Sequence, residues 1–208
     1  MKAEVKICGL TRPEDVRFAE AGDAAYLGFI VEAQSPRRLS VEDASHLIRG
    51  VSAHTVAVTV DPDDGLVAAI RDAGFSHIQL HGNETLARTA QIGRSGLSVI
   101  KAVPVSTADD VKLATEYSGA ADLLLFDAKP PKHSAQRGGH GASFDWSILR
   151  AAPTPKRFAL AGGLTPDTVA QAVSISRAAI LDVSSGVERA PGIKDPILID
   201  QFMERARA

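Results

Sequence analysis

Short apolar runs alternate with amphipathic stretches from one end of the chain to the other. The runs predict strands over residues 4–7, 26–30, 55–60, 77–80, 99–103, 122–126, 157–160 and 179–183. They are short and several carry β-branched residues, as buried parallel strands do. Between them the pattern predicts helices over residues 15–21, 41–49, 65–73, 84–92, 109–117, 144–151, 168–174 and 195–207. Start and stop signals punctuate them: Ser40 before the second, Pro62-Asp-Asp before the third with Gly74 after it, Ser106-Thr107 before the fifth, and Thr165-Pro-Asp before the seventh.

Strands alternating with helices mean a parallel sheet. Eight such units in about 200 residues approach the lower size of an eight-stranded barrel. A doubly wound open sheet is the rival, but it usually has fewer strands at this length. The expected fold is therefore a (βα)8 TIM barrel, a single α/β domain over residues 1–208. Residues 128–143 form the longest predicted loop, and a loop of that length in a compact domain is more often functional than idle.

Composition narrows the function classes. The chain has 208 residues, 45% of them apolar, with 23 Lys and Arg against 25 Asp and Glu, for a net charge of −2. No overall basic field invites nucleic acid. One cysteine excludes an intramolecular disulfide. No apolar run is long enough to span a bilayer, and the first residues lack a signal-peptide pattern. The expectation is a cytoplasmic protein with no nucleic acid or membrane partner.

In a βα barrel the chemistry sits where strands end. Cys8 ends the first run. A thiol there can act as base or nucleophile, and it can equally be a small buried hydrophobe. Asp127 ends Leu123-Leu-Leu-Phe126. Desolvation at the rim would suit it to general acid work, and bracing the long loop is the alternative. Ala161-Gly162-Gly163-Leu164 and Asp182-Val-Ser184-Ser185-Gly186 follow the last two strands, where phosphate sites in such barrels lie. Arg37, after the second strand, suits a carboxylate or phosphate through its planar fork, or is a solvated loop charge. Gln79 and His81 share strand parity and can both face the interior near its mouth, or they are a structural polar pair bracing the rim. His133 and His140 lie in a Gly-rich loop without a ligand cluster, so no metal site is expected.

Lys6-Ile-Cys-Gly-Leu-Thr11, Ser35-Pro-Arg37, Gln79-Leu-His-Gly82, Phe126-Asp127, Gly138-Gly-His-Gly141 with Phe144-Asp-Trp146, Ala161-Gly-Gly-Leu164 and Asp182-Val-Ser-Ser-Gly-Val-Glu188 together resemble the phosphoribosylanthranilate isomerase family, in order and over nearly the whole chain. The resemblance implies a (βα)8 barrel acting in tryptophan biosynthesis. It implies an Amadori rearrangement of N-(5-phosphoribosyl)anthranilate to 1-(2-carboxyphenylamino)-1-deoxyribulose 5-phosphate, with no cofactor and no metal, in a monomer or homodimer. Asp127 matches the family's general acid and Cys8 its general base, acting as thiolate. Gly162, Gly163, Ser184 and Ser185 match the phosphate cradle, and Arg37 the residue holding the anthranilate carboxylate. Gln79, His81 and Asp182 would line the mouth. His140 and Ala142 depart from the family's usual Gly-Gly-x-Gly-Lys loop, the stretch 129–137 is longer and more basic, and Val31-Glu-Ala-Gln34 replaces a more aromatic segment. The 129–142 loop is expected to be the most mobile.

Two other readings compete. A Schiff-base aldolase or sugar-phosphate epimerase would use Lys101 or Lys6, either of which can point into the barrel. A non-enzymatic phospholigand-binding barrel would keep the Gly and Ser loops without needing Cys8 and Asp127 together.

Overall fold

Strands form where the apolar runs lie because each run is buried on both sides, by helices outside and by other strands' side chains inside. In the computed structural model, which describes residues 2–129 and 144–208, eight barrel strands result: β1 (Glu4–Cys8), β2 (Tyr26–Val31), β3 (His54–Thr59), β4 (His77–Leu80), β5 (Ser98–Val105), β6 (Leu123–Ala128), β7 (Ala159–Leu160) and β8 (Ile180–Val183). All neighbours pair in parallel, and β1 pairs with both β2 and β8, so the sheet closes. The helices are α1 (Pro13–Ala21), α2 (Val41–Leu47), α3 (Asp64–Asp72), α4 (Leu86–Gly93), α5 (Ala108–Ala114), α6 (Ile148–Ala151), α7 (Val169–Ser176) and α8 (Pro196–Arg207). This is the (βα)8 barrel expected from the sequence. Its strands match the predicted runs to within about two residues at each end, the ordinary fraying of element boundaries.

Most helices start where a side chain accepts the orphan N–H groups of the first turn. Ser40, Asp63, Thr85, Thr107 and Asp195 do so for α2, α3, α4, α5 and α8. The α7 start differs from expectation: Thr168 caps nothing in its own helix, and its hydroxyl accepts instead from Thr165 N–H at 2.9 Å. The end of the predicted fifth helix tightens into a 3-10 turn, Thr115–Gly119. In α8 the buried residues Ile199, Phe202, Met203 and Ala206 recur at helical spacing and seal one face to the core. Burying a side chain such as Phe202 contributes about 1.5–3 kcal/mol.

Two apolar clusters divide the work. The larger lies between strands and helices and holds Val5, Ile7, Leu27, Phe29, Ile78, Leu80 and Leu124. The smaller fills the barrel and holds Cys8, Tyr26, Val56, Val58, Ile100, Ala102, Leu125, Ala159 and Ile180. One end of the interior carries aromatic rings. Tyr26, His54 and His77 stack with centroids 4.9 to 5.5 Å apart, beside Arg157, which reaches both Glu4 and the Tyr26 hydroxyl. That end is built from the first residues of the strands, so the open chemistry belongs at the other.

The Gly138–Gly141 string, His133, His140, Ala142 and the mobility expected of that loop lie outside the described residues. No described helix is long and apolar enough to cross a membrane.

Candidate active site

Register decides which polar side chains enter the barrel, because partners on parallel strands share a face. Cys8 pairs with Gly28, and Lys6 with Tyr26 and Asp182. Gln79 pairs with Val58 and Ile100, both of the inner cluster. Lys6, Cys8, Gln79 and Asp182 therefore all face inward, and all are buried.

Lys6 and Asp182 form an ion pair inside the barrel, with Nζ donating to both carboxylate oxygens at 2.9 and 3.0 Å. Burial works against the Lys6 cation, yet the Asp182 carboxylate and Cys8 together outweigh it and the amine's pKa is raised. Cys8 sits two residues along the same strand face. Burial pushes its thiol pKa up, and Lys6 only partly offsets this. A Cβ at Gly28 would lie 2.9 Å from Cys8 Sγ and 3.1 Å from Lys6 Nζ. Glycine there leaves the space that the thiol and the amine use.

Asp127 is the last residue but one of β6, with its carboxyl buried. Oδ1 accepts from the N–H of Ala128 at 2.8 Å, and Oδ2 lies 3.2 Å from His81 Nε2. His81, expected at the mouth, thus makes a contact with Asp127 there. Gly162, at φ +89°, lies against this group, since a Cβ there would sit 3.1 Å from Asp127 Oδ1 and 2.7 Å from the nitrogen of Ala128. Gln79 is buried to 1% exposure, and its Oε1 has no hydrogen-bond partner among the described residues. An unpaired buried acceptor is costly unless something supplies a donor.

The two Gly/Ser loops meet directly. A Cβ at Gly186 would collide with the Leu164 carbonyl oxygen. Gly162 and Gly163 both adopt left-handed backbone, φ +89° and +65°, and their N–H groups have no acceptor among the described residues. Ser184 leads into a 3-10 turn, Ser185–Val187. Free backbone donors on a loop that enters α7 are what an anion requires.

Arg37 is placed differently from the expectation that its fork is open to a ligand. The short strand Arg38–Leu39 pairs with the end of β2 and turns Arg37 inward, where its Cδ lies 2.5 Å from a Cβ position at Gly9. Its Nε and Nη2 donate to the two oxygens of Glu188 at 2.8 and 2.6 Å. Glu188 also accepts from Lys194 Nζ at 2.8 Å, and Lys194 donates to the Ser184 carbonyl at 3.0 Å. Burial alone would raise the Glu188 pKa, but Arg37 and Lys194 hold it below the usual carboxylate range. Glu188 and Lys194 sit on a small hairpin, Glu188–Ala190 with Ile193–Lys194. Sequence reasoning gave neither a role, although Glu188 closes a string singled out for other residues.

Asp182 is buried, and both its carboxylate oxygens accept from Lys6 Nζ. Lys101 does not point into the barrel. Its register partners Leu80 and Leu124 belong to the outer cluster, and its ammonium is held by Glu84 at 2.7 Å and by the carbonyls of Leu80 and Gly82. Among the described residues no group of three His, Cys, Asp or Glu side chains could hold a metal ion.

Comparison with known proteins sets this geometry in context. Residues 5–205 match the family model described as N-(5'phosphoribosyl)anthranilate (PRA) isomerase. The N-(5'-phosphoribosyl)anthranilate isomerase of Caulobacter sp. (strain K31) is 47% identical over 209 residues, covering 98% of each chain. The crystal structure of phosphoribosyl anthranilate isomerase from Thermotoga maritima superposes with a TM-score of 0.86 at 33% identity, covering 98% of each chain. A structure of such an isomerase in complex with reduced 1-(o-carboxyphenylamino)-1-deoxyribulose 5-phosphate superposes with a TM-score of 0.83 at 31% identity, again covering 98% of each chain.

Proposed function

The chain belongs to the N-(5'-phosphoribosyl)anthranilate isomerase family, aldose–ketose isomerases of tryptophan biosynthesis, and we propose that Asp127 and Cys8 are its acid and base. The observation that carries this reading is their placement. Cys8 is the last residue of β1 and Asp127 the last but one of β6, and each has a side-chain atom beside a glycine, Gly162 for Asp127 and Gly28 for Cys8. We keep a cytoplasmic location as part of this reading.

The reaction needs two proton transfers. Protonation of the furanose ring oxygen by Asp127 breaks the C1–O bond, while the anthranilate nitrogen lone pair forms the C=N bond of a protonated imine. Cys8, as thiolate, then takes the proton from C2, and the electron pair of that C–H bond moves toward C1 and the nitrogen. The resulting enolamine ketonises to the aminoketose, so no atom is gained or lost overall. His81 orients the Asp127 carboxyl, and the Gln79 Oε1 offers an acceptor to a substrate hydroxyl or N–H.

The phosphate end of the substrate would rest on the N–H groups of Gly162 and Gly163 and on Ser184 and Ser185. Arg37 would meet the anthranilate carboxylate through Nη1, the nitrogen outside its fork with Glu188. The reduced product analogue bound by a relative tests the recognition half of this reading by calorimetry. Wild type, Cys8→Ser and Asp127→Asn should all bind it, and Arg37→Met should bind it at least about ten-fold more weakly, a loss of about 1.4 kcal/mol. Equal affinity in Arg37→Met would remove Arg37 from the site.

A further inference from the structure

A cysteine base poses a difficulty that the barrel itself addresses. Burial favours the neutral thiol at Cys8, whereas a base must be the thiolate. Something close by has to stabilise the anion. Cys8 Sγ and Lys6 Nζ lie 2.9 and 3.1 Å from one common point above Gly28, so they are no more than about 6 Å apart, within the range where opposite charges act on each other. Lys6 is 1% exposed, and both its strand position and its two bonds to Asp182 fix where the ammonium sits.

We propose that Lys6, pinned by Asp182, is a positioning residue that holds its ammonium beside Cys8 Sγ and stabilises the thiolate that takes the substrate proton. This rests on the reading of Cys8 as base. Ionisation releases the Sγ proton to water. The thiolate then accepts one proton from C2 and returns to the thiol, and Lys6 stays a cation throughout.

The surrounding charges sort into helpers and opponents. On β1, Lys6 favours the anion. On β8, Asp182 opposes it, although its carboxylate is what holds Lys6 in place. Lys194 of the hairpin also favours it, but its Nζ is committed to Glu188 and Ser184. Arg37, after β2, interacts electrostatically with Cys8, while its fork is held by Glu188. From β4 and β6, His81 and Asp127 act on Asp182. On β2 the facing residue is Gly28, with Tyr26 level with Lys6. Lys6 is thus the cation that acts most strongly on Cys8, and Asp182, to which it donates twice, shares the barrel interior with the thiol.

Asp182 gives the proposal an unusual signature, because anchor and opponent are the same group. Removing the cation and removing the anion should move Cys8 in opposite directions. A merely structural role for the pair would move it the same way in both. Cys8 is the only cysteine, so its ionisation can be followed by ultraviolet thiolate absorbance against a Cys8→Ser blank. In Lys6→Met the midpoint should rise by about one pH unit, a ten-fold smaller thiolate fraction at a given pH. In Asp182→Asn, whose amide oxygen still accepts from Lys6, it should fall. Should Lys6→Met fail to fold with Asp182 left unpaired, Lys6→Met/Asp182→Leu removes both charges, and the midpoint should still rise because Lys6 is the larger influence. Midpoints that stay put, or that shift alike in the Lys6→Met and Asp182→Asn variants, overturn the proposal. A separate turnover assay of Cys8→Ser tests the base itself. Full activity there would sink the base reading while leaving the measured Lys6–Cys8 coupling standing.

Discussion

His81 Nε2 lies 3.2 Å from Asp127 Oδ2, while the other oxygen of that carboxyl is held by the N–H of Ala128 at 2.8 Å. The carboxyl plane is therefore set from two sides, by the next peptide of its own strand and by a side chain arriving from the end of β4. A proton donor that must meet one ring oxygen benefits from such fixing. Replacing His81 by Leu should lower kcat by about 10- to 100-fold with KM little changed, since orientation and not binding is lost. Steady-state kinetics reads this split, and an unchanged kcat would free Asp127 from any dependence on His81.

Gly28 faces the barrel with no room for a methyl group. Gly28→Ala places a Cβ 2.9 Å from Cys8 Sγ and 3.1 Å from Lys6 Nζ, and the Cys8 backbone is equally close, at 3.1 Å. Overpacking of this kind costs about 1–3 kcal/mol. Urea unfolding should show that loss, together with a fall in turnover; a variant as stable and active as wild type would mean that the thiol has more space than described.

Lys101 and Glu84 form a buried ion pair on the outer face of β5. Burial alone would raise the Glu84 pKa, but Lys101 and then the backbone N–H groups of Asp61 and Glu84 keep it low. Lys101→Met strands a buried carboxylate and should destabilise the fold by about 3–5 kcal/mol. The same geometry predicts that borohydride with substrate traps nothing on Lys101. A reduced adduct at that residue would revive the Schiff-base aldolase reading.

The ring cluster Tyr26–His54–His77 makes stability depend on pH. Burial, then the neighbouring His54, lower the His77 pKa to about 4, against about 6.5 in an unfolded chain. Between these values the unfolded state binds more protons. The stability contributed by neutral His77 is complete above about pH 6.5 and is lost progressively as pH falls toward 4. Denaturant midpoints of wild type should fall across that window and those of His77→Gln should fall less. Parallel curves would place the acid sensitivity elsewhere.

Much of the fold was legible because the strands are apolar runs between turn residues, and burial on both faces enforces that pattern. Cys8 and Asp127 were visible because each directly follows such a run. Which face a residue takes was harder. Lys6 and Lys101 both interrupt apolar strands, yet one enters the barrel to meet Asp182 and the other leaves it to meet Glu84. Spacing within one strand shows alternation, and only the register with its neighbours shows direction. Glu188 and Lys194 were harder still. They sit on a hairpin of a few residues, and Glu188 acts on Arg37, which is 151 positions away in sequence. No local pattern encodes such a contact. The occupied fork of Arg37 was invisible for the same reason.

The most direct test of the proton-transfer pair is turnover of freshly generated phosphoribosylanthranilate, followed as loss of anthranilate fluorescence, in wild type, Cys8→Ser and Asp127→Asn. Both substitutions keep size while spoiling proton transfer. Wild type should turn over rapidly, and each variant should lose about 10²- to 10⁴-fold in kcat while still binding the reduced product analogue. Near-wild-type turnover in either variant would contradict the role given to that residue.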